Sequence, residues 1–481
     1  MACVRIWLRL LPLVVLTSCG RLGYDPHSNT SAPDGSVPDS SVEPSCTDGQ
    51  QNGDESGVDC GGSCNDCIQQ WAQSFGGTDW DLVSVMGVDS ANNIYIAGTF
   101  ENRIDFGGGA LLGVDASDIF LASFSSNGAH RWSQMIPMAG ANKLVQQLAI
   151  DSNDNVVIGA TALLTGEISS FLSYDANGNL RWSESLGGTD EVGVMAFDIS
   201  IDGNGDVYFV GAFTGWLGLL VSVNLSTDIL VGKYDGDTGA SIWLNGYGTS
   251  ASEVGFGIVA AADGMHFITG TYSGASPFGG PGATGSDVFI TAFDSGGAFQ
   301  WSQSAGSAGN ETGRVVALGG NNQLLVGGDF DQEIDFGTGT HVSNGGTDGF
   351  LASLDASTGQ VQWSTQFGGT NNDVIRDIYV TESDKVLLCG DFPLDFNVDG
   401  APFSSNGGWD AFVVAYDALT GAFAGWQKYG GSSEDRGHGL AFDSDGAMYL
   451  TGWYRASIEL AGEVLTSVGG ADIFLVRTTE P

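Results

Sequence analysis

Asp348 to Trp363 reads DGFLASLDASTGQVQW. An apolar run opens on an aspartate, a turn of Asp, Ser, Thr and Gly follows, and a second extended run carries a tryptophan, which together spell a β-hairpin. Just before it comes LLVGG, an apolar run stopped by Gly327. Runs of this kind suit strands covered on both faces by neighbouring sheets. Outward from this hairpin the pattern repeats. Trp71, Trp132, Trp182, Trp243, Trp301, Trp363 and Trp426 punctuate the chain at intervals of 50 to 63 residues. The glycine-stopped run recurs at Gly98, Gly159, Gly211, Gly270, Gly327, Gly390 and Gly452, and the aspartate-led run at Asp118, Asp228, Asp287, Asp348, Asp410 and Asp472. The second repeat departs, with ISSFLSY in place of the aspartate-led run. Adding a leading strand such as VSVMGVD gives four strands per repeat, and seven such repeats predict an all-β, seven-bladed β-propeller over residues 69–481. The last repeat stops after its third strand, whereas the first tryptophan strand precedes any complete repeat. Residues 69–76 are therefore expected to supply the outer strand of the last blade, closing a monomeric ring that leaves no open edge.

Strand alternation brings the fourth-to-first and second-to-third loops to one face. Segments such as FGGTDWD and YGGSSED place Asp81, Glu191, Glu253, Glu311, Asp373 and Asp435 near the starts of the inner strands, with Gly140 to Asn142 interrupting the series in the second repeat. Together with the six third-strand aspartates they predict two concentric carboxylate rings, the inner one around the channel mouth. Two readings of these acids stand. Each caps its own Gly-Gly turn, as aspartate commonly does, or the converging charge holds a cation, for which calcium suits the oxygen ligands. The seven tryptophans are read as packing at the seams between blades rather than as a ligand platform.

Acidic residues number 57 against 15 basic ones, a net charge of -42 that excludes nucleic acid and anionic bilayers as electrostatic partners. Only 15% of residues are charged and 42% are hydrophobic, so the composition supports a packed core and not wholesale disorder.

The opening MACVRIWLRLLPLVVLTSCG has Arg5 and Arg9 before an apolar stretch from Leu10 to Leu16. That is an export signal, too short to cross about 30 Å of hydrocarbon. Leu16-Thr17-Ser18-Cys19 resembles the lipobox of bacterial lipoproteins. The resemblance implies removal of residues 1–18 and a lipid anchor on Cys19, and Gly20 in place of a retention-type aspartate implies the outer membrane, facing the surface or the periplasm. Residues 19–45, rich in Ser, Pro and Asp, are expected to form a disordered tether. Residues 46–68 hold Cys46, Cys60, Cys64 and Cys67, which in an exported chain read as two disulfides of undecided pairing. A zinc site on the same four cysteines, or a calcium loop from Asp48, Asn52, Gly53 and Asp59, are the alternatives. This segment resembles a cysteine-rich module near the start of many exported myxobacterial proteins.

The repeats, with IDFGG at residues 104–108 and IDFG at 334–337, resemble the SBBP-type β-propeller repeat of such proteins. That implies the fold and names no ligand. Asp355 to Trp363 and Asp235 to Trp243 also resemble the tryptophan-docking motif of quinoprotein propellers, which implies that the indole of one blade stacks on the backbone of the next. The likeness stops short of a cofactor, because the adjacent cysteine pair is missing.

His27, His130, His266, His341 and His438 are scattered, with no metal-binding spacing, no Gly-x-Ser-x-Gly elbow is present, and Cys389 sits in an apolar strand. The expected function is a non-enzymatic, lipid-anchored envelope scaffold that binds protein, glycan or calcium on an acidic face. The alternatives are an outer-membrane assembly scaffold and a channel-mouth hydrolase or lyase built on His438, which enters the last inner strand.

Overall fold

The computed structural model describes residues 68–163, 167–187, 193–217, 220–222 and 226–481; Cys19, Cys46, Cys60, Cys64, Cys67 and Glu191 lie outside them, as do the signal, tether and cysteine-rich segment assigned from the sequence. Among the described residues every helix or strand element is a strand. Five sheets have four antiparallel strands each, and a larger sheet joins two more sets of four through the single pair Phe367 and Val398. The sets are numbered one to seven by their first strands, Asp81–Val88, Ala141–Ile150, Gly193–Ile201, Glu253–Ala260, Glu311–Gly319, Val374–Val380 and Asp435–Phe442. In set seven the fourth place is taken by Trp71–Phe75, which pairs antiparallel with Asp472–Thr478 from Trp71 opposite Arg477 to Phe75 opposite Ile473. First strands of successive sets pack side by side, and that of set seven packs on that of set one. Repeated four-stranded sheets set face to face in this way form a β-propeller.

Burial explains the composition of the strands. DIFLASF at Asp118–Phe124 is buried at every position, as is VYFVGAF in Val207–Thr214 apart from the closing threonine, because each sheet is covered on both sides. One apolar cluster joins Tyr95 and Leu121 of set one to Val145, Leu148 and Ile158 of set two. The IDFGG stretch is a hairpin arm between second and third strands, and it tucks Ile104 and Phe106 into the core while Asp105 accepts from the amide of Gly107.

Each first strand carries a β-bulge at the same place. The pairing with the second strand skips Ser84, Gln146, Phe197, Phe256, Arg314, Arg376 and His438 in turn. The bulge pushes a carbonyl toward the second strand, which is why glycine stops that strand. A Cβ on Gly98 would meet Leu82 O at 2.1 Å, and one on Gly452 would meet Arg436 O at 1.8 Å. In set five the close approach falls on Gly328 (2.0 Å from Thr312 O) rather than Gly327, and in set two Gly159 has only ordinary contacts, the position opposite the bulge being Ala160. Gly452→Ala should therefore cost about 2–4 kcal/mol through a backbone clash that no rotamer relieves, whereas Gly159→Ala should cost less than about 1 kcal/mol. Chemical denaturation of the two variants side by side checks this, and equal losses would contradict the close-approach account.

Candidate functional site: the channel and its rim

The acids assigned to the channel mouth turn instead into the seams between sets. Asp81, Glu253, Glu311, Asp373 and Asp435 are fully buried. Each accepts an amide of its own turn, from Gly77 (2.6 Å), Thr249 (3.0 Å), Ser307 (3.3 Å), Gly369 (2.7 Å) and Gly431 (2.7 Å). The turn amides are the nearest donors, so capping decides where the carboxylates point, and an exposed acidic ring does not form from them. Burial pushes Asp81, Glu311 and Asp435 up to about 7, with a third-strand aspartate adding repulsion in each case (Asp472, Asp287 and Asp410). Burial and Asp348 raise Asp373 to about 8.

The seam tryptophans lie between sets. Trp71, Trp132, Trp182, Trp301 and Trp363 each donate their indole N–H to a carbonyl in the third-to-fourth turn of the next set, at 2.8 to 3.1 Å. The glycine of that turn lies against the ring, and a Cβ on Gly239 would come within 2.7 Å of Trp182. Trp243 departs, stacking on His266 with ring centroids 5.5 Å apart. Trp426 meets no such hairpin, because the fourth strand of the next set comes from the other end of the unit, and it stacks on Phe403 at 3.9 Å.

The bulges redirect side chains toward the axis. Phe197 and Phe256 meet there with centroids 5.0 Å apart. Arg314 is lowered to about 10 by burial and by the charge of Arg376, and His438 is held well below its usual range by burial and by Arg376 and Arg436. Inward of this level lies a cavity of about 330 Å³ touched by all seven first strands, through Met86, Leu148, Asp198, Ile258, Val315, Asp377 and Leu440 among others. Asp198 and Asp377 act as struts in its wall. Asp198 accepts from Ile258 N (2.7 Å) and Asp377 from Leu440 N (2.9 Å), each reaching the first strand of the following set, and burial raises both to about 7.

The rim is sorted by chemistry. Sets five to seven bring up three guanidiniums in a chain with only 15 basic side chains. Arg314 pairs with Asp329, while the fully buried Asp391 bridges Arg376 Nε (3.0 Å) and Arg436 Nη1 (2.6 Å). Arg436 lies 3.9 Å over the Trp409 ring and 5.7 Å over that of Trp453. Trp453 meets Trp80 edge-on at 6.2 Å, and Arg455 lies over Trp80 at 5.2 Å. Trp80 is 39% exposed and Arg376 a third exposed. None of these side chains was singled out from the sequence apart from His438. The available signal was their spacing: Arg314, Arg376 and His438 each stand three residues beyond Glu311, Asp373 and Asp435, the place where the bulge falls.

Among the described residues, the other histidines and the one cysteine are accounted for locally; His27 lies outside them. His130 bonds Ser133, His341 bonds Ser364, and His266 is buried between Trp243 and Phe293, which lowers it to about 4. Cys389 is fully buried, and burial pushes its thiol up.

No family model matches this chain. It is 26% identical over 332 residues to the regulatory protein FlaEY of Caulobacter vibrioides, a match spanning 63% of this chain and 34% of that protein, so the chain covers about a third of that relative. Among solved structures it is similar to the quinohemoprotein alcohol dehydrogenase ADHIIG of Pseudomonas putida, with 12% identity over 85% of this chain and 76% of that one at a TM-score of 0.44. BamB of Moraxella catarrhalis aligns with 15% identity, 77% and 94% coverage and a TM-score of 0.36. Sqt1 of Chaetomium thermophilum, solved bound to the N-terminus of ribosomal protein L10, aligns with 8% identity, 84% and 98% coverage and a TM-score of 0.46.

Proposed function

We propose that this chain is a non-enzymatic binding module of the bacterial envelope, a closed ring of seven blades anchored by lipid at Cys19, which docks an acidic segment of a protein partner on its arginine and tryptophan rim. The first-to-last pairing of Trp71–Phe75 with Asp472–Thr478, and the contact of set seven with set one, support the closed ring. The export signal, lipobox and cysteine-rich segment read from the sequence support the address.

One observation carries the binding reading. Arg436 is held between Trp409 and Trp453 beside Arg376, with Trp80 and Arg455 continuing the patch outward. Tryptophan and arginine dominate the energetically important centres of protein interfaces, and guanidinium forks match carboxylates in pairs. The chain's overall charge of -42 opposes an acidic partner at long range, but that field is screened beyond about 8 Å at physiological ionic strength, which leaves the local contacts to decide. Hydrolysis is less well supported, since the charged neighbours acting on His438 are guanidiniums that keep it neutral, and a general acid–base pair needs a carboxylate there.

Panning the immobilised protein against peptide libraries should enrich acidic sequences containing an aromatic residue. Enrichment should fall at least tenfold in Trp80→Ala and Arg455→Ala, with the melting midpoint unchanged. Enrichment of basic or neutral peptides, or binding indifferent to both substitutions, would overturn the assignment.

A further inference from the structure

The seams between sets solve one electrostatic problem in three ways. Between sets one and two, Asp118 faces Lys143, whose ammonium lies 2.6 Å from Asp118 Oδ1 and 2.7 Å from Asp115 Oδ2 with almost no exposure. Lys143 stands three residues before the bulged Gln146, as Asp81, Asp373 and Asp435 stand three before the bulged Ser84, Arg376 and His438. Between sets two and three, among the described residues, a hydroxyl near the start of the third strand serves where the other sets have an aspartate: Ser169 Oγ donates to Val194 O and accepts from Ala196 N, each at 2.9 Å. The third solution places two carboxylates together, and it is incomplete. Asp348 and Asp373, Asp472 and Asp81, and Asp410 and Asp435 are each 0–1% exposed, and in all three pairs both Oδ1 atoms are buried without a hydrogen-bond partner.

The two members of a pair are close. Asp373 N donates to Thr347 O beside Asp348, and Asp81 N donates to Ala471 O beside Asp472. A Cβ on Gly368 would lie 2.7 Å from Asp348 Oδ1 and 2.8 Å from Asp373 Oδ2. Nearby charge worsens the repulsion, from Asp395 and Asp391 on the first pair, Asp79 on the second and Glu434 on the third. Lys428 approaches only the other oxygen of Asp410, Oδ2, at 3.7 Å. Two neighbouring ionised carboxylates with buried, unpaired oxygens cost several kcal/mol unless a cation compensates them or a proton is retained.

We propose that in the Asp348–Asp373, Asp472–Asp81 and Asp410–Asp435 seams a calcium ion occupies the position that the Lys143 ammonium fills beside Asp118. Two carboxylates supply the charge, and main-chain oxygens and water complete the oxygen shell that calcium takes. The ions bind the folded ring and not the open chain, so they stabilise it by linkage. This inference is independent of the rim and of its partner.

Calorimetry and thermal melts on the full chain, stripped with chelator and titrated with calcium chloride, provide the test. Calcium should raise the melting midpoint by several degrees, and Asp348→Asn should lower the stoichiometry by one ion. Asp373→Lys, which copies the Lys143 solution, should also lose one ion while melting higher than the parent in chelator. Stoichiometry unchanged in both variants would place any bound calcium elsewhere and overturn the proposal. So would a midpoint that ignores calcium and responds only to acidification, which would mean that protons alone fill the seams.

Discussion

Removing residues 69–76 is expected to lower the melting midpoint by more than about 10 °C or to leave the protein aggregated. Trp71–Phe75 is held from two sides, so its loss breaks two interfaces at once. On one side it hydrogen-bonds to Asp472–Thr478, its Ser74 hydroxyl lies 2.7 Å from that of Tyr454, and Arg477 donates to Gln69 O at 3.1 Å. On the other it packs on set one, where the Phe75 ring lies 5.3 Å from Phe106 and 5.0 Å from Phe124, and Trp71 donates to Ser126 O. Without the segment, the main-chain groups of Asp472–Thr478 become a long apolar edge, the arrangement that invites pairing with another chain. A gentler form of the experiment is Phe75→Ala, expected to cost about 3–5 kcal/mol for an aromatic ring deleted from a core. A synthetic peptide spanning residues 69–76 should bind the truncated chain and restore most of the lost midpoint, as an added strand does at a vacant edge. If the truncated chain melts like the parent, the strand is an ornament and the ring reading fails.

That strand was legible in the sequence because the argument for it was topological: an unpaired fourth strand at one end and a missing fourth strand at the other. Strand identity was legible for the same reason, since periodic apolar runs and turn glycines report backbone pairing directly. The site was less so. Alternation along VSVMGVD or TGRVVAL assigns side chains to two faces, but a bulge adds a residue and reverses the assignment from that point. Arg314 and Arg376 reach the axis only because of that extra residue, and nothing in the composition of the strand announces it. The carboxylates were half legible. Capping of their own Gly-Gly turns was one of the two readings, and the amides of Gly77, Gly369 and Gly431 bear it out, whereas the open ring around the mouth required the side chains to point away from those amides. Lys143 is the clearest case. Gly140 to Asn142 read as an interruption of the acidic series, yet the lysine that follows them fills the same place as the acids.

Stability should fall as pH rises from about 5 to 8.5, the reverse of the usual behaviour of a protein held by ion pairs. Asp81, Asp198, Glu311, Asp377 and Asp435 are raised to about 7 and Asp373 to about 8, in every case with burial as the leading cause. In the unfolded chain such groups lose their protons near pH 4. Between pH 4 and 8 the folded state therefore binds more protons than the unfolded one, and each retained proton removes about 1.4 kcal/mol of stability per pH unit on the way up. The opposing set is the lowered carboxylates Asp118, Asp175, Asp235, Asp335, Asp355 and Asp417, held down by turn and backbone hydrogen bonds and, for Asp118, the Lys143 ion pair. Its contribution is present above pH 4 and lost only as the pH falls through their lowered values, with Asp355 at about 2. Burial lowers His266, His341 and His438 too, which flattens the fall below about pH 6.5. The two sets together put the stability maximum between about pH 4 and 6. Melts in chelator across that range should show the midpoint falling toward pH 8.5 by on the order of 10 °C. Asp377→Asn isolates one strut: it keeps an acceptor for Leu440 N or Ile378 N but has no proton to lose, so it should melt with a shallower pH slope and overtake the parent at high pH. A midpoint that stays flat or climbs between pH 5 and 8.5 would mean that these carboxyls are ionised in the folded chain, and that the burial which turns them away from solvent exacts no electrostatic penalty.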